Sequence, residues 1–458
     1  MSIEEGCQTE SFRLAGAACP CDNDALSANR PTMQKKQPNK TQRQFVSLFS
    51  GGMGLDLGLE RAGFEPLLCN EIDSMAVETV KLNRPDLPVL GCSIEEITGK
   101  QVRKESGLGR AQLDLLAGGP PCQSFSVYGN RKGIHDGRGR MLFEYLRMVD
   151  ELRPKVFIME NVRGLHSMPL IPEKLLDEVK GAEPWMAEKG SLVRELIRQF
   201  ELIGYRVDGF LVNSVNYGAP QIRERLILIG NRYGLTANFP VPSHSNRPED
   251  GLVPFKTLRD AIGSDFRDPD PSLMNFSPRK LKYLKMVPAG GNWRSLPIDV
   301  QKESMGKSWY LKGGRSATWR KLSWDFPSPT VVTMPNHAST SMCHPDQLRA
   351  LTVGECAAIQ EFPAEWRFSG QTSDKYKQIG NAVPLKLGEV AGNCARALLD
   401  EIDSLGGSRK RGAVAPSRIE YLRSHVRTKR YWHKGQALAG DHDYYSTDNE
   451  EEEQLALI

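Results

Sequence analysis

The feature that most constrains this chain is a repeated alternation. Short apolar runs of strand type pass through turns into stretches of helical pattern. Phe45-Val46-Ser47-Leu48-Phe49 is followed by Gly51, Gly52 and Gly54, and then by Leu55, Leu57, Leu59 and Ala62, which suit a helix ended by Gly63. Glu65–Glu71 reads as a second strand and Ser74–Asn83 as its helix. Leu113–Ala117 is a strand running into Gly118-Gly119-Pro120-Pro121-Cys122, and a helix around Arg140–Leu152 precedes the strand Lys155–Met159. Ser191–Ile203 is amphipathic and Arg225–Gly230 is strongly apolar. Strands alternating with helices imply βαβ units, hence an α/β fold with a doubly wound, mostly parallel sheet.

The pattern does not run to the end. After about residue 238 the sequence becomes rich in Pro, Gly, Ser, Arg, Lys and Trp, with poor helical periodicity as far as about 345. Trp293, Trp309, Trp319 and Trp324 stand there beside Arg294, Lys307, Lys312, Arg315, Arg320 and Lys321. We read a flexible leader over 1–43, an α/β domain over 44–237 and a smaller irregular domain over 238–345. Residues 346–404 return to the first domain, and 405–458 form a charged tail. That tail separates its charges, basic over Arg409–Lys434 and acidic over Asp448–Glu453. Like-charge blocks of this kind read as solvated. Cys19 and Cys21 lack a second Cys/His pair at zinc spacing, so no metal is expected.

Composition serves to exclude. The 458 residues are 39% hydrophobic and 25% charged, as in globular domains. No run approaches the roughly 18 apolar residues of a membrane span. Met1–Lys40 has no apolar core of an export signal. Nine dilute, irregularly spaced cysteines argue for a reducing, cytoplasmic setting rather than a disulfide framework. A net charge of +4 says nothing of partners by itself.

The chemistry sits at strand ends, where open parallel sheets bind ligands. The glycine turn 51–54 lets backbone approach a ligand closely, and Glu71 ends the next strand about 20 residues on, where a carboxylate reaches ribose hydroxyls. The pattern differs from G-x-G-x-x-G, so a nicotinamide cofactor stays open without being favoured. Cys122, beyond a strand and two prolines, is the strongest nucleophile on offer. Glu160 emerges on the same rim and is placed to hold or protonate a heterocycle nitrogen. Gln221, Arg223 and Arg225, at period two, put guanidinium forks on one face, suited to carbonyl, carboxylate or phosphate oxygens.

In order, Phe49-Ser50-Gly51-Gly52-Met53-Gly54, Asn70-Glu71, Pro120-Pro121-Cys122-Gln123, Glu160-Asn161-Val162, Gln221-Ile222-Arg223-Glu224-Arg225, Arg349-(five residues)-Glu355-(four residues)-Gln360 and Gly380-Asn381-Ala382-Val383-Pro384 resemble the motifs of the DNA cytosine-C5 methyltransferases, over roughly residues 45–400. The resemblance implies a Rossmann-like fold binding S-adenosyl-L-methionine, with a separate target-recognition domain. It implies that Cys122 attacks C6 of a flipped cytosine, that Glu160 contacts N3 and the exocyclic amine, and that Arg225 binds O2 with Arg223 close by. Phe49, Gly51, Gly54, Glu71, Ile72, Pro121 and Asn381 would form the cofactor site. Gly91-Cys92-Ser93-Ile94 departs from the family where many members carry an Asp facing the adenine amine, and Met53 is a milder variation.

The expected activity is methyl transfer to C5 of cytosine in a specific duplex DNA sequence. The expected setting is a bacterial or phage-infected cell, with a cognate restriction endonuclease as functional partner and a monomer as the enzyme. The alternatives are a tRNA-directed member of the same family and a DNA-binding relative without catalysis. A cysteine hydrolase is disfavoured because no partnering His pattern follows Cys122.

Overall fold

The computed structural model describes residues 42–121, 139–179, 181–310, 316–337, 339–406, 408 and 414–422. Cys122, nearly all of the leader and the tail beyond Leu422 lie outside them.

The predicted alternation folds as β1 (Arg43–Leu48), β2 (Phe64–Asn70), β3 (Val89–Leu90), β4 (Leu115–Gly118), β5 (Val156–Val162), β6 (Arg206–Asn213) and β7 (Glu224–Asn231). β8 (His244–Ser245) and β9 (Val253–Pro254) form a separate pair, and β10 (Arg418–Tyr421) returns to the main sheet from far along the chain. The order across that eight-stranded sheet is β10-β6-β7-β5-β4-β1-β2-β3. All neighbours run parallel except at β7, which is antiparallel to both β5 and β6. The fold is the expected Rossmann-like, mostly parallel sheet. The reversed β7 has a specific consequence, because it brings the start of that strand to the rim where β5 ends.

Helices cover both faces: α1 (Gly54–Arg61), α2 (Ser74–Asn83), α3 (Gly99–Glu105), α4 (Arg140–Leu152) and α5 (Ser191–Leu202). β5 shows how the period of two splits the core. Val156 and Ile158 join an apolar cluster with Phe45, Phe210 and Leu387. Phe157, pointing the other way, stacks on Phe200 of α5 at 4.4 Å and meets Tyr145 of α4 at 6.2 Å. Full burial on both faces is what parallel strands require.

The irregular stretch holds α6 (Leu258–Ile262), α7 (Pro278–Leu284) and α8 (Ile298–Met305). Its own core gathers Phe276, Tyr283, Leu284, Trp293, Met305 and Trp319, with Trp309 packed against it. Trp324 instead packs on a cluster shared with the helices that follow. All four predicted tryptophans therefore serve packing.

Three helices then return to the sheet: α9 (Val353–Ile359), α10 (Thr372–Asn381) and α11 (Leu385–Ser404). α11 lies on α1 with backbones in contact. A Cβ added at Gly58 would lie 2.4 Å from the Leu385 carbonyl oxygen and 2.6 Å from Gly388 Cα. Among the described residues no helix is long and apolar enough to cross a membrane.

The solvated reading of the tail is overturned over 414–422. β10 pairs with the edge of β6, Arg418 opposite Asp208 and Tyr421 opposite Leu211. Arg206 of β6 is buried against Asp208 and donates to the carbonyls of Ala415 (2.8 Å) and Pro416 (3.1 Å). Charge density in the sequence concealed the strand, because Arg418 serves as a partner for the buried Asp208 on β6.

Candidate active site

The loop after β1 is wound tightly. Phe49 (φ 56°), Gly51 (φ 53°) and Met53 (φ 67°) all adopt the left-handed region. Only glycine does so at little cost, so Phe49 and Met53 store about 1 kcal/mol or more each. For Met53 the offset is evident, since its side chain is fully buried in the cluster shared by α1, α9 and α10. A Cβ at Gly51 would meet nothing within 4 Å, so the loop opens onto free space there.

Glu71 braces this loop. One carboxylate oxygen accepts the Gly51 N–H at 2.8 Å, and the other accepts those of Ile72 (2.9 Å) and Asp73 (2.8 Å). Ile72 beside it is 68% exposed, a large apolar side chain facing solvent next to an open loop. Asn70 donates to the carbonyls of Leu90 (3.0 Å) and Cys92 (2.9 Å), fixing the end of β3. Ser93 follows, with its hydroxyl accepting from Glu95 N as a helix cap.

Gly54 is placed differently from its sequence reading. A Cβ there would lie 2.4 Å from the Val383 carbonyl oxygen. It seats the turn after α10 rather than facing the open space at Gly51. Asn381, at the end of α10, is exposed beside that turn. Gly380 before it is crowded too, with the Thr333 nitrogen 2.5 Å from a Cβ position.

At the rim of β5 a second group assembles. Glu160 is 8% exposed and forms an ion pair with Arg225, whose Nε lies 2.6 Å from Oε1 without an aligned N–H. Register explains the meeting, since Val162 pairs with Arg225 and Glu160 with Ile227 across the antiparallel pair. Asn161 donates to the Pro120 carbonyl at 2.8 Å, and a Cβ at Gly119 would lie 3.0 Å from Glu160 Oε2. The turn that carries Pro121, exposed and bonded to Cys122, therefore abuts the Glu160–Arg225 pair.

Arg223 departs from the expected catalytic placement. It is buried, and its two Nη atoms donate to the carbonyls of Val331 (3.0 Å) and Gly380 (2.7 Å). Burial, with Arg225 nearby, pushes its guanidinium below the ordinary value. The period-two reading of Gln221, Arg223 and Arg225 assumed a strand end open to solvent, but the Val331 segment covers it. Gln221 accepts from Val331 N at 2.9 Å, so the two side chains grip one residue by both its peptide groups. Gln221 also donates to Gln360, which donates to Ile379 and Ala382. Arg349 holds Glu355 through two bonds of 2.7 and 2.8 Å. Sequence reasoning missed the Thr330–Val331 segment as a contributor, and nothing in its composition marked it.

Residues 43–395 match the C-5 cytosine-specific DNA methylase family. The chain belongs to that family. Its relatives include the Type II methyltransferase M.Eco47II of Escherichia coli, 39% identical over 365 residues, which are 78% of this chain and 80% of that protein. M.Sau96I of Staphylococcus aureus is 37% identical, over 77% of this chain and 75% of its own. A prophage-encoded E. coli protein, whose crystal structure is described as a DNA modification methyltransferase, superposes with a TM-score of 0.53 at 23% identity. That likeness spans 78% of this chain and 99% of the other. The protein is thus a DNA cytosine-5 methyltransferase, and DNA is its substrate.

Proposed function

We propose that this methyltransferase modifies one cytosine within a defined duplex sequence through a covalent bond from Cys122 to C6. The observation that carries the reading is the Glu160–Arg225 pair at the rim, abutted by the turn that leads into Cys122.

The target base must leave the helix, at a cost of a few kcal/mol. The Cys122 thiolate donates an electron pair to C6, and the ring passes its own pair toward C5. Glu160 contacts N3 and the exocyclic amine, and Arg225 places a guanidinium N–H on O2, so charge gathering in the ring meets fixed partners. Arg225 Nη1 is committed to the Glu224 carbonyl at 2.8 Å, which leaves Nη2 for the base. Their pairing keeps both side chains charge-balanced until the base enters. C5 then takes the methyl group and loses its proton to water, and the C6–S bond breaks with its electrons returning to sulfur. Arg223 touches no substrate in this scheme. It is a positioning residue that holds the Val331 segment and Gly380 beside Arg225.

S-adenosyl-L-methionine, when bound, supplies an electrophilic methyl on a sulfonium. The open space at Gly51 and the exposed Ile72 fit such a molecule. Gly51 and Phe49 would line it, Glu71 would accept from ribose hydroxyls with its remaining lone pairs, and Ile72 would cover the adenine. Pro121 and Asn381 would close the site, with Gly54 acting through the turn it seats. We read residues 238–345 as the target-recognition region, the enzyme as a monomer in a bacterial or phage-infected cell, and its role as protection against a cognate restriction endonuclease.

The test is incubation with S-adenosylmethionine labelled in its methyl group and either duplex DNA or tRNA. Label in DNA is expected, while label in tRNA alone overturns the substrate. Cys122→Ala should still bind DNA and cofactor yet transfer no methyl, and an active variant refutes the thiolate route. Bisulfite sequencing of DNA from a methylation-free host gives the context.

A further inference from the structure

Of the five buried cations among the described residues, Arg225 faces Glu160 and Arg206 faces Asp208, while Arg223 and Arg320 donate to backbone carbonyls. Lys280, on α7 in the irregular region, belongs with the second group. It is 3% exposed, and among the described residues no carboxylate pairs with it. Its ammonium donates to three backbone carbonyls of one loop: Asn336 (3.2 Å), His337 (2.5 Å) and Thr340 (2.6 Å). The Phe276 ring lies beneath at 5.0 Å.

Three carbonyl oxygens that converge on one buried point repel each other unless a cation joins them, and charge-assisted bonds of this kind are roughly twice as strong as neutral ones. The cation thus dictates which way the peptides turn. With carbonyls 336, 337 and 340 drawn inward, Met334, His337 and Ser339 are exposed. The loop is closed further by Met342 N donating to the Pro335 carbonyl (3.1 Å) and Asn336 donating to Asn275 (3.1 Å). His337 Nδ1 accepts from Ser339 N at 3.3 Å, which leaves the ring proton on Nε2 as a donor. The loop also begins three residues after Val331, the residue gripped by Gln221 and Arg223 at the edge of the active site.

We propose that Lys280 is a positioning residue for sequence selection: shared among three carbonyls, its ammonium sets how Met334, His337 and Ser339 are presented to DNA. The inference rests on the reading of residues 238–345 as the recognition region. An outward His donor there suits acceptors on a base edge, such as guanine N7 and O6. Burial lowers the Lys280 ammonium from its ordinary value to about 8, against a small opposing effect of the facing Cys343 thiol. That thiol is itself held up at about 11 and stays uncharged in the range that matters. Above pH 8 the neutral amine keeps two donors for three carbonyls.

The experiment compares the wild type with Lys280→Met, similar in length but without donors, by bisulfite sequencing of DNA from a methylation-free host expressing each. The ratio of methylation at the wild-type context to contexts one base pair different should fall at least tenfold in the variant. The affinity of the purified variant for S-adenosylhomocysteine should stay within twofold. An unchanged ratio in a soluble variant overturns the proposal. If the variant is insoluble, the wild type decides alone. Its binding preference for its own duplex over a one-base-pair change, with S-adenosylhomocysteine present, should fall three- to tenfold between pH 7 and 9. A flat preference overturns the proposal. A wild type that makes no 5-methylcytosine would instead sink the parent reading, so the two failures are distinguishable.

Discussion

The sheet and the irregular region 238–345 solve the same problem by different means. In the sheet, position is set by backbone ladders: strand register alone puts Val162 beside Arg225 and so Glu160 beside its partner. In the irregular region the only described strands are two residues each, and backbone carbonyls are collected by side chains instead, three by Lys280 and that of Ser341 by the buried Arg320. A ladder distributes its constraint over many equivalent bonds, so chemistry placed on it inherits rigidity. A loop hung on one ammonium concentrates its constraint in one residue. The region that must carry the reaction uses the first device, and the one assigned to reading sequence uses the second.

Perturbations of the sheet half should therefore be severe and indifferent to DNA sequence. Glu160→Gln should lower kcat on the order of 10²–10³-fold, measured as label transfer at saturating DNA, with sequence context unchanged. A relaxed context would break the division of labour. Gly58→Val should come next, because the added carbons meet the α11 backbone. A loss of about 3 kcal/mol or more by urea unfolding is expected. Ending the chain before Val414 should cost about 2–4 kcal/mol relative to ending it after Leu422, since it strips Arg206 of two acceptors and Asp208 of Arg418. Equal stability of the two truncations would mean that β10 is not needed to hold the edge.

The smallest effect probes the one place where the sheet half resembles the other. Asp56 in α1 is fully buried beside the Cys69 thiol, and burial raises its carboxyl from 3.8 to about 7, against a hydrogen bond from Ser47. Such a group takes up a proton on folding between about pH 4 and 7, so the native state loses stability as pH rises through that window. Asp56→Asn should gain on the order of 2 kcal/mol at pH 8 and nothing near pH 4, by urea unfolding at both. A gain that is independent of pH would place the cost elsewhere.

The legible part of the sequence follows the same line. β1, β2, β4, β5 and β7 and the helices beside them were marked by apolar runs between turns, because a strand buried on both faces must be apolar. β3, with two residues, and β6, whose Arg206 and Asp208 interrupt its pattern, were not. β10 was hidden for the reason that makes it work, since its arginine belongs to a carboxylate 210 residues earlier. Among the candidate site residues, Glu160, Arg225 and Glu71 lie at strand ends and were locatable from them. Arg223 was misread because alternation gives the face a side chain shares, not what covers that face. Gly54 looked like a ligand-facing glycine, yet it is pressed against the Val383 backbone.

The parallel seat of β10 on β6 also imposes an order on biosynthesis. With 210 residues separating Arg418 from Asp208, synthesis at about 5–20 residues per second leaves the β6 edge unpaired for on the order of 10–40 s. An open strand edge invites pairing with other chains. The arginine and aspartate that make β6 hard to recognise place opposite charges on that edge, a known way of discouraging wrong partners. The pair that greets the last strand is thus also suited to guarding its place until it arrives.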